Sequence, residues 1–172
     1  MAGITDILDL GRIALHSGEG RHLDLTVALG ELQFGGQKYS ADPDRVPVRL
    51  DIARMAGGYS FRLRYSVRLG GPCMRCLEDA GKSLVIDSRE VDQPGGDTDE
   101  LDSPYVEGNE LDLRAWARDA LVLELPAQIV CSEDCRGICA LCGENLNAAG
   151  PEHHHDKPPD ARWAKLSELR FE

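Results

Sequence analysis

The sequence predicts an α+β fold: an antiparallel sheet of at least four strands, one or two helices, and a C-terminal tail rich in cysteine and histidine. Strict alternation is the first observation behind this. Tyr59, Phe61, Leu63, Tyr65, Val67 and Leu69 interleave with Ser60, Arg62, Arg64, Ser66 and Arg68, and a period of two puts one set on each face of a strand. The second is Gly57-Gly58, between this strand and the apolar run from Val46 to Met55; glycines accept the positive φ that a tight hairpin turn requires. The third is six cysteines placed as Cys73-x2-Cys76 and Cys131-x3-Cys135-x3-Cys139-x2-Cys142, followed by His153-His154-His155.

Taken in chain order, His22 to Leu29 alternates as a strand, Val46 to Met55 and Tyr59 to Leu69 form a hairpin, and Ser83 to Val91 returns beside them. Gly70-Gly71 reads as the end of the long strand, so the Cys73/Cys76 pair sits at a hairpin end. Asp92 to Gly108 is acidic and nearly without apolar residues, which predicts a mobile loop with no structure of its own. Asn109 is placed to cap a helix from Glu110 to about Leu123, with Leu113, Trp116, Ala117, Ala120 and Leu121 on one face, Asp112 near its positive end and Pro126 as its stop. Asp160 is placed to cap a short final helix carrying Trp163, Leu166 and Leu169. There is no internal repeat, P-loop or dinucleotide fingerprint.

The cysteine spacing reads as zinc. Thiolate and imidazole are the ligands a tetrahedral Zn²⁺ prefers, and a C-x2-C pair presents two sulfurs from one tight turn. Disulfides suit oxidising compartments, whereas Met1 to Leu10 carries two aspartates and no basic residue, unlike a secretory leader. The expectation is a cytoplasmic protein with reduced thiols and no membrane segment. Six cysteines and two of the histidines supply eight ligands, enough for two closed sites. One partition joins Cys73 and Cys76 to Cys131 and Cys135 across 54 intervening residues, and Cys139 and Cys142 to His153 and His155. The other puts Cys131, Cys135, Cys139 and Cys142 on one ion and leaves Cys73 and Cys76 free or pairing with histidine. The plain alternative for the histidines is a solvated polar loop. The chain thus divides into residues 1–126, mainly antiparallel sheet with an acidic loop (about 92–108) and a helix (about 110–123), and residues 127–172, a zinc-ribbon-like tail with a short helix.

Thirty acidic against 19 basic residues give a formal net charge of −11, which disfavours non-specific attraction to nucleic acid or an anionic membrane. The charge is segregated, however. Arg45 to Arg75 holds seven arginines and one acid, and Asp87 to Asp112 holds ten acids and one base. Arg62, Arg64 and Arg68 share the wet face of one strand and Arg75 follows in the cysteine turn, so together they are candidates to grip RNA phosphate; ordinary outward-facing arginines are the plain alternative. Tyr59, Phe61 and Tyr65 lie on the opposite face and read as core, not as base-stacking platforms. No nucleophile elbow, zincin helix or paired carboxylate supports catalysis, so neither an enzyme nor a small-molecule substrate is expected.

PCMRCLE (Pro72 to Glu78), LRAWARDALVLELPAQIVCSEDCRGICALCGENLN (Leu113 to Asn147) and PDARWAKLSELR (Pro159 to Arg170) resemble the bacterial YceD family, the large-ribosomal-RNA-subunit accumulation proteins. The resemblance covers the order of elements from about residue 20 onward. It implies a role in accumulation of 23S ribosomal RNA, and hence in large-subunit biogenesis, with no known catalysis. Many members carry a C-x-C pair where this chain has His153-His154-His155; histidine at the first and third positions keeps two legitimate zinc ligands. Two functions fit: a biogenesis factor contacting 23S rRNA or a large-subunit precursor particle through the arginine face, or an interaction module whose acidic surface shields a basic ribosomal protein.

Overall fold

Alternation dominates the architecture. In the computed structural model, which describes residues 5–95 and 101–155, the chain runs β1 (Ile7–Asp9), a 3-10 turn (Gly11–Ile13), β2 (Gly20–Ala28), β3 (Glu31–Phe34), β4 (Gln37–Asp42), β5 (Arg45–Arg54), β6 (Tyr59–Pro72), β7 (Asp79–Asp92), β8 (Val106–Glu107), β9 (Glu110–Asp112), α1 (Leu113–Leu123) and α2 (Leu146–Ala149). The class is α+β: a six-stranded antiparallel sheet of β2 to β7, a small sheet ordered β1-β9-β8 and, among the described residues, two α-helices. β7 pairs with the full length of β6, from Tyr59↔Asp92 to Pro72↔Asp79. The other edge of β6 is therefore shared, by β5 against Tyr59–Tyr65 and by β4 against Arg68–Gly70.

The apolar set of β6 forms the middle of the core. Phe61, Leu63 and Tyr65 are buried with Leu50 and Ile52 of β5 and Ile86 of β7, and α1 covers this face with Trp116, Ala117, Ala120 and Leu121. Two hydrogen bonds fix the helix in place. The Tyr65 hydroxyl donates to the Ala117 carbonyl at 2.5 Å, and the Trp116 indole N–H donates to Ser88 Oγ at 3.0 Å.

Several boundaries differ from the sequence expectation, each for a physical reason. β6 runs on through Gly70 and Gly71 because these glycines make room instead of ending the strand: a Cβ on Gly71 would lie 2.3 Å from the Tyr39 ring, whose hydroxyl donates to the Pro72 carbonyl at 2.8 Å. Likewise, neither Gly57 nor Gly58 has positive φ. Gly58 is needed because a Cβ there would fall 1.8 Å from the Asp92 carbonyl oxygen. The helix begins at Leu113, capped by Asp112, which accepts from the Ala115 N–H at 2.8 Å. Glu110–Asp112 is strand β9 instead, since β1 pairs with it (Leu8↔Leu111) and the Asn109 carbonyl is taken by the Leu10 N–H. This is tertiary pairing overriding helix propensity.

The described part of the acidic segment is built into the fold and is not a free loop. Asp92 and Ser103 are buried, the Ser103 N–H donates to Asp92 Oδ1 at 3.2 Å, and the Gln93 N–H donates to the Leu101 carbonyl. The helix expected around Trp163 lies outside the described residues. Among the described residues, no helix is long and apolar enough to cross a membrane.

Candidate metal centres

The sharp β6–β7 turn and the tail use the same backbone device twice. In the first knuckle the Cys73 N–H donates to the Glu78 carbonyl, the Leu77 N–H donates to the Cys73 carbonyl, and Leu77 has φ of +65°. In the second the Cys139 N–H donates to Glu144, the Gly143 N–H donates to Cys139, and Gly143 has φ of +77°. Each loop thus aims two sulfurs to one side, with a left-handed residue immediately after the second cysteine. Glycine occupies that position without strain in the second knuckle, whereas Leu77 holds a conformation that is uncommon for a residue with a Cβ.

Tail and sheet meet at the first knuckle. The Met74 N–H donates to the Ile129 carbonyl at 2.9 Å, the Ile138 N–H donates to the Arg75 carbonyl at 3.2 Å, and the Arg75 guanidinium reaches Gln128 Oε1 and the Cys135 carbonyl. The resulting grouping brings Cys73, Cys76, Cys131 and Cys135 together, and separately Cys139, Cys142, His153 and His155. In each group all ligand atoms lie within 4.8 Å of one another, and each group could hold a metal ion. Cys131 and Cys135 are not gathered with Cys139 and Cys142 into a single four-sulfur set.

The spacing of the ligand atoms fits a tetrahedral ion. Cys73 Sγ lies 3.7 Å from Cys135 Sγ, and Cys76 Sγ lies 3.6 Å from Cys131 Sγ. A tetrahedron with metal–sulfur bonds of roughly 2.3 Å has an edge of about 3.8 Å. In the second group Cys142 Sγ lies 3.6 Å from His153 Nε2, and the Nε2 atoms of His153 and His155 lie 3.1 Å apart. Bonds of roughly 2.3 Å to sulfur and about 2.05 Å to nitrogen give edges of about 3.5 and 3.3 Å. Two unprotonated imidazole nitrogens facing each other at that distance repel unless a cation or proton stands between them.

The electrostatics point the same way. Burial pushes the Cys73 thiol up, but the backbone N–H groups of Cys76, Arg75 and Cys131 outweigh it and bring it down to about 6. Cys139 also falls to about 6, held by the Cys142 N–H and then by His153. At Cys76 the Glu78 N–H favours the thiolate, but burial and the neighbouring sulfurs overcome it and push the thiol up to about 12. Four crowded sulfurs therefore do not all ionise by themselves, and a divalent cation at this point would supply the missing charge. The sets differ in shelter, since Cys73, Cys76 and Cys135 are buried whereas Cys142 and His155 are exposed. Glu144 faces His153 Nδ1 at 3.1 Å, leaving Nε2 free for an ion. Sequence reasoning missed Glu144, although carboxylate partners of ligand histidines are a general feature of metal sites.

The family model described as the large ribosomal RNA subunit accumulation protein YceD matches residues 61–170. The chain belongs to the YceD family. Among curated relatives, an uncharacterised Mycobacterium tuberculosis protein is 38% identical over 104 residues, covering 58% of this chain and 49% of its own. The Zea mays protein named large ribosomal RNA subunit accumulation protein YCED homolog 1, chloroplastic, is 28% identical over 183 residues, covering 85% and 60%. YlbN of Bacillus subtilis, uncharacterised, is 28% identical over 150 residues, covering 85% and 86%. The chain spans about half the length of the mycobacterial relatives it matches. No solved structure matches.

In this YceD-family chain three of the four arginines predicted as RNA contacts, Arg62, Arg64 and Arg75, already make polar contacts within the molecule. Arg62 is bidentate on Asp87, at 2.7 and 2.5 Å, and Arg64 reaches Asp51 at 2.5 Å. The Arg62 guanidinium holds the Asp87 carboxyl below its usual range. Arg68 lies over Gly81, where a Cβ would meet its guanidinium at 2.7 Å. Register explains the pairing: His22, Asp51, Arg62 and Arg89 form one row across the outer face, and Asp24, Arg49, Arg64 and Asp87 form the next. Four arginines thus face three aspartates, so these two rows, which hold three arginines of the positive run (Arg49, Arg62 and Arg64), are nearly neutral.

Proposed function

We propose that this chain is a non-catalytic, zinc-holding factor that supports accumulation of 23S ribosomal RNA, acting in the cytoplasm on the large-subunit precursor particle. The observation that carries this reading is the extent of the family match: residues 61–170 include all eight candidate ligands and the sheet hairpin they meet. Two of the plant relatives carry rRNA accumulation in their names. Four protein ligands per ion leave no open coordination position, which suits zinc as a structural element and not as a Lewis acid.

RNA contact through Arg62, Arg64, Arg68 and Arg75 is the first mode of action. A guanidinium has five N–H donors, so an arginine already paired with aspartate keeps donors for a phosphate. The neutralised outer face, with the net charge of −11, favours the second mode, shielding of a basic ribosomal protein. In cells lacking the chain, 23S RNA is expected to fall relative to 16S RNA and to be restored by the wild-type chain but not by Cys76→Ser. Unchanged 23S levels would overturn the reading. Binding to large-subunit RNA with a steep salt slope selects the first mode, and tight binding to an isolated basic ribosomal protein selects the second.

A further inference from the structure

The chain between Cys142 and His153 belongs by its two ends to the second centre and by its middle to the first. Asn145 caps α2, accepting from the Asn147 N–H at 2.9 Å, and its own amide reaches Glu78 Oε1 in the first knuckle at 3.4 Å. Asn147 in turn places Nδ2 3.4 Å from Cys135 Sγ, while its Oδ1 accepts from the Arg136 N–H at 2.7 Å and the Leu146 N–H donates to the Gly137 carbonyl. The approach is close: a Cβ on Gly137 would stand 3.1 Å from the Arg75 carbonyl oxygen. An N–H aimed at a ligand sulfur stabilises its thiolate form and orients it, as partners outside the ligand set do in metal sites generally.

We propose that Asn147 couples the two centres: an ion bound by Cys139, Cys142, His153 and His155 pins both ends of the segment that holds the Asn147 amide on Cys135, and so tightens metal binding at Cys73, Cys76, Cys131 and Cys135. Alone, a helix of four residues is too short to hold its shape, so the order of α2 depends on what fixes its flanks. An ion at the second centre supplies one such fixture and the contacts to the first knuckle supply the other. Linkage makes the effect mutual, so an ion at the first centre favours the second to the same degree. The more exposed second centre then governs how firmly the tail is held to the sheet.

The inference rests on both centres holding metal as proposed above. It is tested by titrating the full chain with cobalt(II) against a competing chelator, because thiolate-to-cobalt absorption distinguishes a four-sulfur from a two-sulfur centre. Cys142→Ser, which disables the second centre, is expected to weaken the first by roughly 5- to 100-fold, in the usual range of coupling between sites. Asn147→Ala, which leaves all eight ligands in place, is expected to weaken the first centre by about 10- to 100-fold and to make it indifferent to an ion at the second. Combined with Cys142→Ser, it should add little more. Asn147→Asp keeps the oxygen that accepts from Arg136 and removes the donor, so it should weaken the first centre at least as much. Unchanged circular dichroism in each variant excludes a general loss of fold. Two ions bound with first-centre affinity indifferent to Cys142→Ser, or losses that simply add, would overturn the coupling and leave the metal reading standing. No cobalt bound by the wild-type chain would overturn both.

Discussion

Cys76→Ser is expected to empty the first centre and free the tail from the sheet while the sheet itself stays folded. Cys76 is buried at the β6–β7 turn and faces Cys131, which lies 55 positions further along the chain. Structural zinc contributes on the order of 10 kcal/mol in small domains, so three remaining sulfurs, one of them now without its opposite partner, hold the ion far more weakly. The core around Phe61, Leu63 and Trp116 contains none of these cysteines. Limited proteolysis at matched zinc should therefore show new cleavage between Ile129 and Cys142, with β2 to β7 still protected. An unchanged cleavage pattern would mean that the first centre does not tie tail to sheet.

Trp116→Ala is expected to have the largest effect on the stability of the sheet and the helix that covers it. The indole is 1% exposed, packs edge-on against Phe61 at 6.2 Å and alongside Tyr105 at 6.3 Å, and gives Ser88 its donor. Deleting a buried aromatic of this size costs about 3–5 kcal/mol. For a chain of this length that lowers Tm by roughly 6–20 °C. Chemical denaturation at constant zinc measures it, and a loss below about 1 kcal/mol would show that α1 is not what closes the core.

The two long central strands and the apolar face of the helix were legible because their periods are sustained: alternation through eleven residues of β6 leaves a single register in which Phe61, Leu63, Tyr65, Val67 and Leu69 are all buried. Short strands carry no such signal. β1 and β9 have three residues each, and only their mutual pairing explains why Glu110–Asp112 is extended. Gly58 and Gly71 were noticed, but sequence shows only that a glycine is present, not whether φ or a neighbouring atom demands it. The partners of the arginines were hidden for a related reason, because charge along one chain segment says nothing of Asp24 and Asp87, which register brings alongside Arg49, Arg62 and Arg64. In the tail, spacing points to cysteines and histidines as ligands. It cannot show that Asn147 reaches a sulfur or Glu144 a ligand imidazole, since both contacts depend on how the knuckle backbones turn.

The proposed pair of closed zinc centres would organise both the end of the sheet and the tail. The most direct measurement is metal content by elemental analysis, paired with intact mass under native conditions, on chain purified without chelator. Two zinc ions per chain are expected, falling to one in Cys76→Ser as the first centre empties. A wild-type chain that carries no zinc, or only one ion, would contradict it.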